Sequence, residues 1–241
     1  MNVVISQPMF FPWVGMFEQV RLADHFVFYD DVQFSKGSFV NRVQIKTAAG
    51  IKWLTVPLKG LSLGQRIQDV QVDGAKNWQR QHIDMLKQAY AQAPGLKDML
   101  ALVQEVHDLA PATVGALSEA SMVAVCRWFG IDTGRQFHHI GELAIGGSGS
   151  QRVLDIVQRL HGSRYITGLG AANYLDHEAF EQAGVAVEYM AYRKTPYPQL
   201  HGEFTPYVSV LDLIANVGHA GIDHICSGTT HWKEFLHHER D

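Results

Sequence analysis

The sequence predicts an α/β protein with an open, mostly parallel sheet and a central helical lobe. An apolar strand at Val3–Ile5 is followed by a helix and by a second apolar strand at His25–Tyr29. The apolar period becomes helical between residues 75 and 129, and strands alternate with helices again after residue 146. Strands that alternate with helices are typical of a parallel sheet covered by helices.

The first 74 residues form the strand-rich part of the predicted domain. Pro8 and Pro12 follow the first strand, where they prevent both a continued strand and an early helix. The next helix carries Trp13 and Phe17 on one face. A hairpin with its turn at residues 48–50 joins two strands, and a further strand precedes the helical lobe. These three strands cover residues 39–46, 52–57 and 70–72.

The remainder of this single predicted domain has three segments. A helical lobe covers residues 75–145, an α/β segment covers 146–226, and a C-terminal tail covers 227–241, which we expect to be loosely held after Thr230. Gly130 is the predicted stop of the last lobe helix. The predicted lobe helices span residues 75–90, 95–109 and 113–129. The predicted elements of the α/β segment are a helix at 150–160, strands at 165–167 and 185–189, and a helix at 209–217.

Composition and charge narrow the function classes. A net charge of −4 and a pI near 6.3 argue against a general nucleic-acid-binding protein, which carries a basic face. No apolar run reaches the ~20 residues that span a bilayer, and Asn2 leads directly into a strand without a signal peptide. We therefore expect a cytoplasmic protein with Cys126 and Cys226 as reduced thiols. The histidines form no metal-ligand motif, so we expect no metal site. No nucleophile motif is present, which argues against covalent serine or cysteine catalysis.

Polar residues follow the second strand, at the edge where parallel strands bind ligands. Asp30 and Asp31 end this strand, and Gln33, Lys36 and Arg42 follow closely. This cluster predicts an anion-binding site, a Mg²⁺-phosphate site or a general base. The alternative is a turn in which an aspartate caps the backbone and the cations are solvated. Adjacent strand residues point to opposite faces, so one aspartate faces the cleft, and we expect Asp31.

Two glycine-rich segments lie where a helix begins or a strand ends. Gly146–Ser150 precedes an amphipathic helix, whose free backbone N–H groups favour an anion. Arg152 in the first turn opposes the helix macrodipole unless a negative group is near. The alternative partner for Arg152 is Asp155, one turn later. Gly168–Tyr174 follows a strand, where a ligand-binding loop and a tight turn both fit the sequence.

The last predicted helix carries Ser209, Asp212 and Asn216 on one face. Ser209-x-x-Asp212 matches a capping box and Gly218 matches a helix stop, so we interpret Ser209 and Asp212 as structural. Asn216 remains a candidate ligand-binding residue.

A specific set of motifs spans nearly the whole chain. It begins with Ile5-Ser6-Gln7-Pro8 and continues with Asp30-Asp31-Val32-Gln33-Phe34 and Trp53-Leu54-Thr55-Val56-Pro57. It ends with Tyr197-x-Gln199-Leu200-x-Gly202-x-Phe204-x-Pro206 and Ser209–Leu213. This set resembles the WbqC-like family. Gly149-Ser150 departs from the family pattern, in which a basic residue followed by Ser or Thr is expected, and this weakens a phosphate-binding role for the loop.

The resemblance implies work on activated sugars, because members of this family are encoded among bacterial surface-polysaccharide genes. It implies a transferase that attaches an acyl or aminoacyl group, such as glycine, to a nucleotide-linked amino sugar in O-antigen synthesis. The co-reactant is an activated acyl donor or ATP with Mg²⁺. We expect the nucleotide-linked sugar as the partner, with no nucleic acid and no membrane.

The first strand, the turn at Trp13–Met16 and the second strand are also similar to the beginning of nucleotidyltransferases. In those enzymes the turn carries His-x-Gly-His, and both histidines are absent here. If the architecture is shared, their phosphate chemistry is lost or done otherwise. An ATP-dependent ligase or a nucleotidyltransferase-like enzyme is therefore the first alternative. A non-catalytic accessory protein that binds a nucleotide sugar is the second.

These inferences define two groups of candidate site residues. Asp31, or Asp30, takes the proton of the sugar ammonium, and Lys36 completes the catalytic group. In the second group, the cations hold phosphates and the aromatic residues stack on a base or sugar ring. The candidate substrate-binding residues are Gln7, Phe11, Trp13, Gln33, Asn41, Arg42, Lys46, Arg152, Gly168, Tyr174 and Asn216.

Overall fold

The structure, a computed structural model, describes residues 1–238 of the chain. The first part contains β1 (Asn2–Ser6), α1 (Val14–Leu22), β2 (His25–Phe28), β3 (Arg42–Thr47), β4 (Gly50–Thr55), β5 (Leu58–Lys59) and β6 (Gln71–Val72). The central part contains α2 (Trp78–Ala89), α3 (Leu96–Asp108), α4 (Val114–Phe129), β7 (Gln136–His139) and α5 (Ile140–Leu143). The last part contains α6 (Gly149–Arg159), β8 (Arg164–Thr167), α7 (His177–Gln182), β9 (Ala186–Tyr192), α8 (Val210–Val217), β10 (Ser227–His231) and α9 (Trp232–His238). Within the described part of the chain, no helix combines the length and apolar character needed to cross a lipid bilayer.

The central sheet contains six strands in the order β10-β9-β8-β1-β2-β7. All neighbouring strands in it are parallel except β9 and β10. Numbered along the chain, its parallel strands have the spatial order 3-2-1-4-5, which is typical of doubly wound sheets. The structure therefore confirms the predicted α/β fold with a mostly parallel sheet.

Both faces of the sheet are covered by helices, which explains why its strands are apolar on both sides. On one face, Phe26 and Phe28 pack in a core shared with α1, α8 and the helical lobe. On the other face, Val3 and Val27 pack in a second core with α6, α7 and α9. All four residues of β2 are buried, in agreement with its uninterrupted apolar sequence.

Helices α2, α3 and α4 form the helical lobe. Gly130 adopts a left-handed conformation with φ +67° and ends α4, as its position in the sequence predicts. The helical part is shorter than the expected range of 75–145, because Gln136–His139 return to the edge of the sheet as β7. The segment that precedes α6 therefore contains the edge strand β7 and the short helix α5 and lies outside the three-helix lobe.

The expectation that the tail is loosely held after Thr230 is wrong for the residues that the structure describes. Ser227–His231 pair with β9 as the edge strand β10. Trp232 and Phe235 of α9 pack against the second core, and Phe235 stacks on Tyr189 with 4.1 Å between ring centroids. The polar composition of this segment predicts an exposed tail, but its two aromatic side chains pack against the core, and their burial stabilises the segment. Residues 239–241 lie outside the described residues.

The helical lobe buries two histidines beside Trp78. His82 lies next to the Thr55 carbonyl, with 3.2 Å between Nε2 and the oxygen. His107 has no hydrogen-bond partner for either ring nitrogen among the described residues. Burial lowers the pKa of each histidine from 6.5 to about 4, so both are neutral at pH 7.

Acid should destabilise the fold through these two histidines. The unfolded chain binds protons at its histidines below pH 6.5, whereas the folded chain binds them here only near pH 4. Their contribution to stability is therefore complete above pH 6.5 and is lost as the pH falls from 6.5 to about 4. Each should lower the unfolding free energy by roughly 1 kcal/mol per pH unit in that window, which urea unfolding at a series of pH values measures.

His107→Leu should reduce the loss of unfolding free energy per pH unit between pH 6.5 and about 4, which we call the acid slope. It should also raise the unfolding free energy at pH 7. The reason is that an apolar side chain replaces a buried imidazole whose nitrogens lack partners. The matched variant His82→Leu should not stabilise the protein at pH 7, because it loses the contact with the Thr55 carbonyl. Equal acid slopes for the wild type and His107→Leu would show that the acid response arises elsewhere.

Candidate functional site

A cleft opens where the carboxyl ends of the parallel strands meet at one edge of the sheet. β1 lies between β2 and β8, so the strand order reverses its direction at β1. Ligands of open α/β sheets bind at such a topological switch point. Ile5 and Ser6, at the end of β1, line the cleft.

The cleft has two lobes, which we name by their side chains. The Asp31 lobe has a volume of about 600 Å³ and lies beside the end of β2 and the start of α6. The aromatic lobe has a volume of about 420 Å³ and lies beside the ends of β8 and β9. The two lobes adjoin at Ile5, Ser6, Met9 and Tyr174, which line both.

An ion pair between Asp31 and Arg152 lies in the wall of the Asp31 lobe. Arg152 Nη1 and Nη2 donate to the two carboxylate oxygens of Asp31 at 3.1 and 2.5 Å. Nε and Nη2 also donate to the Ile145 carbonyl, and Nη1 donates to the Tyr29 hydroxyl. These bonds use all five N–H donors of the guanidinium. Because Arg152 is only 7% exposed, they hold the Asp31 carboxylate in one orientation.

This ion pair explains the cation in the first turn of α6. Asp155 is not its partner, since the Asp155 carboxylate accepts from Gln151 at 2.7 Å. The negative group near the helix start is Asp31, more than a hundred residues earlier in the chain. No described side chain caps α6, and Gly147 and Ser148 line the Asp31 lobe. The uncapped backbone N–H groups of the helix start therefore lie at this lobe.

Asp30 and Asp31 lie beyond β2, which ends at Phe28 rather than at the aspartates, and the Asp30 side chain faces away from the cleft. Its carboxylate faces Gly115 of α4, where an added Cβ would lie 3.4 Å from Oδ2. Burial raises the pKa of Asp30, and the nearby His139 opposes this shift. His139 also pairs with Glu119 at 3.0 Å. Asp30 thus belongs to a separate polar group against the helical lobe, and Asp31 is the aspartate that lines the cleft.

Four aromatic side chains and one cation line the aromatic lobe among the described residues, and three of the rings, those of Trp13, Tyr192 and Tyr207, lie close together. The Trp13 ring centroid lies 4.8 Å from that of Tyr192 and 6.0 Å from that of Tyr207. Gly15 makes room for the indole, because a Cβ at this glycine would lie 2.4 Å from the Trp13 ring. Lys194 Nζ donates to the Tyr207 hydroxyl at 3.0 Å. The lobe therefore combines planar apolar surface with a positive charge.

The structure brings part of the predicted site together in this cleft. Gly168 is placed where only glycine fits easily, since an added Cβ would lie 3.1 Å from the Tyr192 hydroxyl. The predicted residues that line one or both lobes are Gln7, Trp13, Asp31, Gln33, Arg152, Gly168 and Tyr174.

Phe11 and Asn41 lie in the core, which corrects their expected contact with a substrate. Phe11 is fully buried and packs edge-to-face on Phe10, with 4.9 Å between ring centroids. Asn41 Nδ2 donates to the Val56 carbonyl at 3.0 Å and is also buried. Ser209 has the predicted structural role, since its hydroxyl donates to the Phe11 carbonyl and caps α8. These residues shape the interior beneath the cleft.

Arg42 and Lys36 lie outside the cleft, which corrects their expected role beside Asp31. Arg42 donates from Nε and Nη2 to the Gly37 carbonyl at 3.1 and 2.5 Å. Its guanidinium also lies over the Trp53 ring at 4.2 Å from the centroid. Lys36 is exposed in the loop that precedes β3. Arg42 and Lys36 therefore follow the two aspartates closely in sequence but lie apart from Asp31 in the structure.

Lys46 and Asn216 belong to a buried network that holds residues 197–206 against the hairpin and α8. Lys46 Nζ donates to Gln199 Oε1 at 3.1 Å and to two backbone carbonyls of this segment. Asn216 accepts from the backbone of the same segment and donates to the Asp212 carboxylate at 3.2 Å. Asp212 is fully buried, in agreement with its structural interpretation. Neither Lys46 nor Asn216 lines the cleft lobes, so both expected substrate contacts are corrected.

Sequence reasoning missed Tyr192, Lys194 and Tyr207. The predicted strand ended at Tyr189, whereas β9 continues to Tyr192. With the longer strand, Tyr192 and Lys194 occur at a strand end, which is the signal that identified Asp31. Tyr207 lies in an irregular segment and has no local pattern that relates it to the cleft.

The fold and the cleft define a doubly wound α/β protein with a cleft at the switch point of its sheet. A family model, described as the WbqC-like protein family, matches residues 7–224. The chain belongs to the WbqC-like protein family, as its motifs predict. It is 33% identical over 234 residues to Rv1507c, an uncharacterized protein of Mycobacterium tuberculosis, and the match covers 93% of this chain and 97% of that relative. No solved structure matches the chain.

Arg152→Met should lower the unfolding free energy by about 2 kcal/mol, because Asp31 and the Ile145 carbonyl lose their donor. The matched variant Arg159→Met removes an exposed cation from the last turn of the same helix and should change stability by less than about 0.5 kcal/mol. Denaturant unfolding of both variants measures the difference. Equal stability of the two variants would mean that the ion pair makes no net contribution.

Proposed function

We propose that this protein is a transferase that attaches an acyl or aminoacyl group, such as glycyl, to a nucleotide-linked amino sugar in O-antigen synthesis. The observation that carries the proposal is the Asp31 carboxylate, held by Arg152 in a cleft whose other lobe is aromatic. Pockets of roughly 300–1,000 Å³ enclose small ligands, and both lobes have volumes in this range. The family resemblance to polysaccharide-synthesis proteins supports the choice of an activated sugar.

In this proposal the sugar amine lies beside Asp31. The carboxylate is an acceptor, its side chain is 20% exposed, and Arg152 sets its orientation. Arg152 acts by positioning Asp31, since its own donors are used within the protein. The uncapped N–H groups at the start of α6 bind the phosphate nearest the sugar. Gln7 and Gln33 offer amide groups to the sugar hydroxyls.

The proposed reaction begins when Asp31 accepts a proton from the sugar ammonium and leaves a free amine. The amine nitrogen attacks the carbonyl carbon of the activated acyl donor and forms a C–N bond. The bond between that carbon and the leaving group breaks, and the leaving group keeps the electron pair. The nitrogen then releases a second proton to the leaving group or to solvent, which gives the amide.

An ATP-dependent ligase or a nucleotidyltransferase-like enzyme is the second candidate. It is favoured by the 3-2-1-4-5 order of the parallel strands and by a cleft at the end of β1, as in many nucleotide-binding sheets. ATP with Mg²⁺ would then activate the acyl group before transfer. A third candidate is an accessory protein that uses the same cleft to bind a nucleotide sugar without turnover.

Asp31→Asn should abolish turnover and spare binding, because it keeps the side-chain shape and removes the base. We expect kcat to fall at least about 100-fold, while the Kd for the nucleotide sugar changes only a few-fold. Mass spectrometry of the amide formed from a panel of nucleotide-linked amino sugars measures turnover, and calorimetry measures binding. The control Asp84→Asn, at an exposed site on α2, should behave as wild type. An inactive Asp30→Asn beside an active Asp31→Asn would reverse the assignment, and two active variants would make both carboxylates structural.

Amide formation should not consume ATP. The turn after β1 lacks the His-x-Gly-His side chains that act on the α-phosphate in nucleotidyltransferases. Chromatography of the nucleotides present after the reaction should therefore show no AMP or ADP coupled to product. AMP released in proportion to the amide would establish the ligase instead. Binding of the sugar nucleotide without any amide would favour the accessory protein.

A further inference from the structure

We propose that the aromatic lobe binds the nucleoside diphosphate end of the substrate, with its base against Trp13 and Tyr207 and a phosphate on Lys194. This inference rests on the proposed function, since it assigns the orientation of the same substrate. The nucleoside lies beside β8 and β9, and the amino sugar lies at Asp31. The diphosphate crosses the boundary at Ser6 and Tyr174, which line both lobes.

The charges of the two lobes favour this orientation, because the aromatic lobe carries an ammonium and the Asp31 lobe carries a neutral ion pair. Lys194 is the only cation among the described residues that line the aromatic lobe, and no carboxylate lines it. In the Asp31 lobe, Nη1 and Nη2 of Arg152 both donate to the Asp31 carboxylate, so the pair carries no net charge. An anionic group therefore gains more at Lys194 than at Arg152. An ammonium is repelled by Lys194, whereas in the Asp31 lobe it meets a partly exposed carboxylate that can still accept a hydrogen bond.

The rings of the aromatic lobe offer a stacking surface for a base. Tyr207 is 54% exposed and Trp13 is half-buried, so both rings contribute surface to the lobe. Stacking on aromatic side chains suits any base, because every base has a π face. The indole is held over Gly15, where a Cβ would collide with it. The surface is thus formed before a ligand arrives, which reduces the entropy lost on binding.

Lys194 is directed to the lobe by its backbone and by Tyr207. Its φ of +51° is a left-handed conformation that a side chain such as lysine rarely adopts. Its ammonium donates to the Tyr207 hydroxyl and lies 5.3 Å from the centroid of that ring. One of its three donors is used in this bond, and two remain for phosphate oxygens. This hydrogen bond therefore couples the position of Lys194, which binds the phosphate, to that of Tyr207, which stacks on the base.

Calorimetry of the full chain with uridine, thymidine, cytidine and guanosine diphosphates, without any sugar, tests this inference. At least one diphosphate should bind. Lys194→Gln and Tyr207→Ser should each raise its Kd at least tenfold. Both side chains are exposed, so the variants should fold, and thermal unfolding verifies this. The control Lys97→Gln, on the exposed surface of α3, should keep the wild-type Kd.

The outcomes separate the orientation from the proposed function. If a diphosphate binds and both aromatic-lobe variants keep the wild-type Kd, the orientation is overturned while the proposed function stands. A Kd raised by Asp31→Asn rather than by Lys194→Gln would also overturn it, since the diphosphate would then lie in the Asp31 lobe. If none of the diphosphates binds the wild type at millimolar concentration, the orientation and the proposed function both fail.

Discussion

β1 is hydrogen-bonded to β2 on one side and to β8 on the other, and the position of the cleft depends on this arrangement. The strand order changes direction at β1, which leaves a crevice at its carboxyl end. The chain leaves β1 through the turn that contains Pro8 and Pro12, and neither proline can extend the ladder. The end of the strand is therefore open, and side chains from both halves of the sheet converge on it.

The ion pair between Asp31 and Arg152 joins these two halves. Asp31 follows β2, and Arg152 lies in the first turn of α6, which precedes β8. A guanidinium that donates to a carboxylate, a carbonyl and a hydroxyl has one accessible geometry, so it sets the shape of the Asp31 lobe. It also leaves the lobe with a fixed acceptor rather than a free cation. Because Arg152 pairs with Asp31, the lobe offers a ligand a carboxylate acceptor.

The second lobe depends on contacts that lie well away from it. Lys194 and Tyr207 belong to the irregular segment between β9 and α8, which the network around Asp212 holds in place. Burial raises the pKa of Asp212, and hydrogen bonds from Tyr90 and Tyr197 oppose this shift. A buried polar group of this kind costs stability unless its bonds are satisfied, so the network favours one arrangement of the segment. Motif residues that do not line the cleft therefore still shape it.

By itself, the sequence determined the order and type of the main elements and the edge of the sheet at which the cleft opens. Apolar periodicity, prolines and stop glycines act over a few residues, so Gly130, the hairpin turn and the strand-end position of Asp31 could be read directly. Tertiary structure decided which side chains reach that edge. Arg42 and Lys46 follow the alternation of their strand, yet Trp53 and Gln199 hold them elsewhere. Arg152 meets Asp31 across 121 positions, and local periodicity carries no information on contacts between such distant parts of a chain.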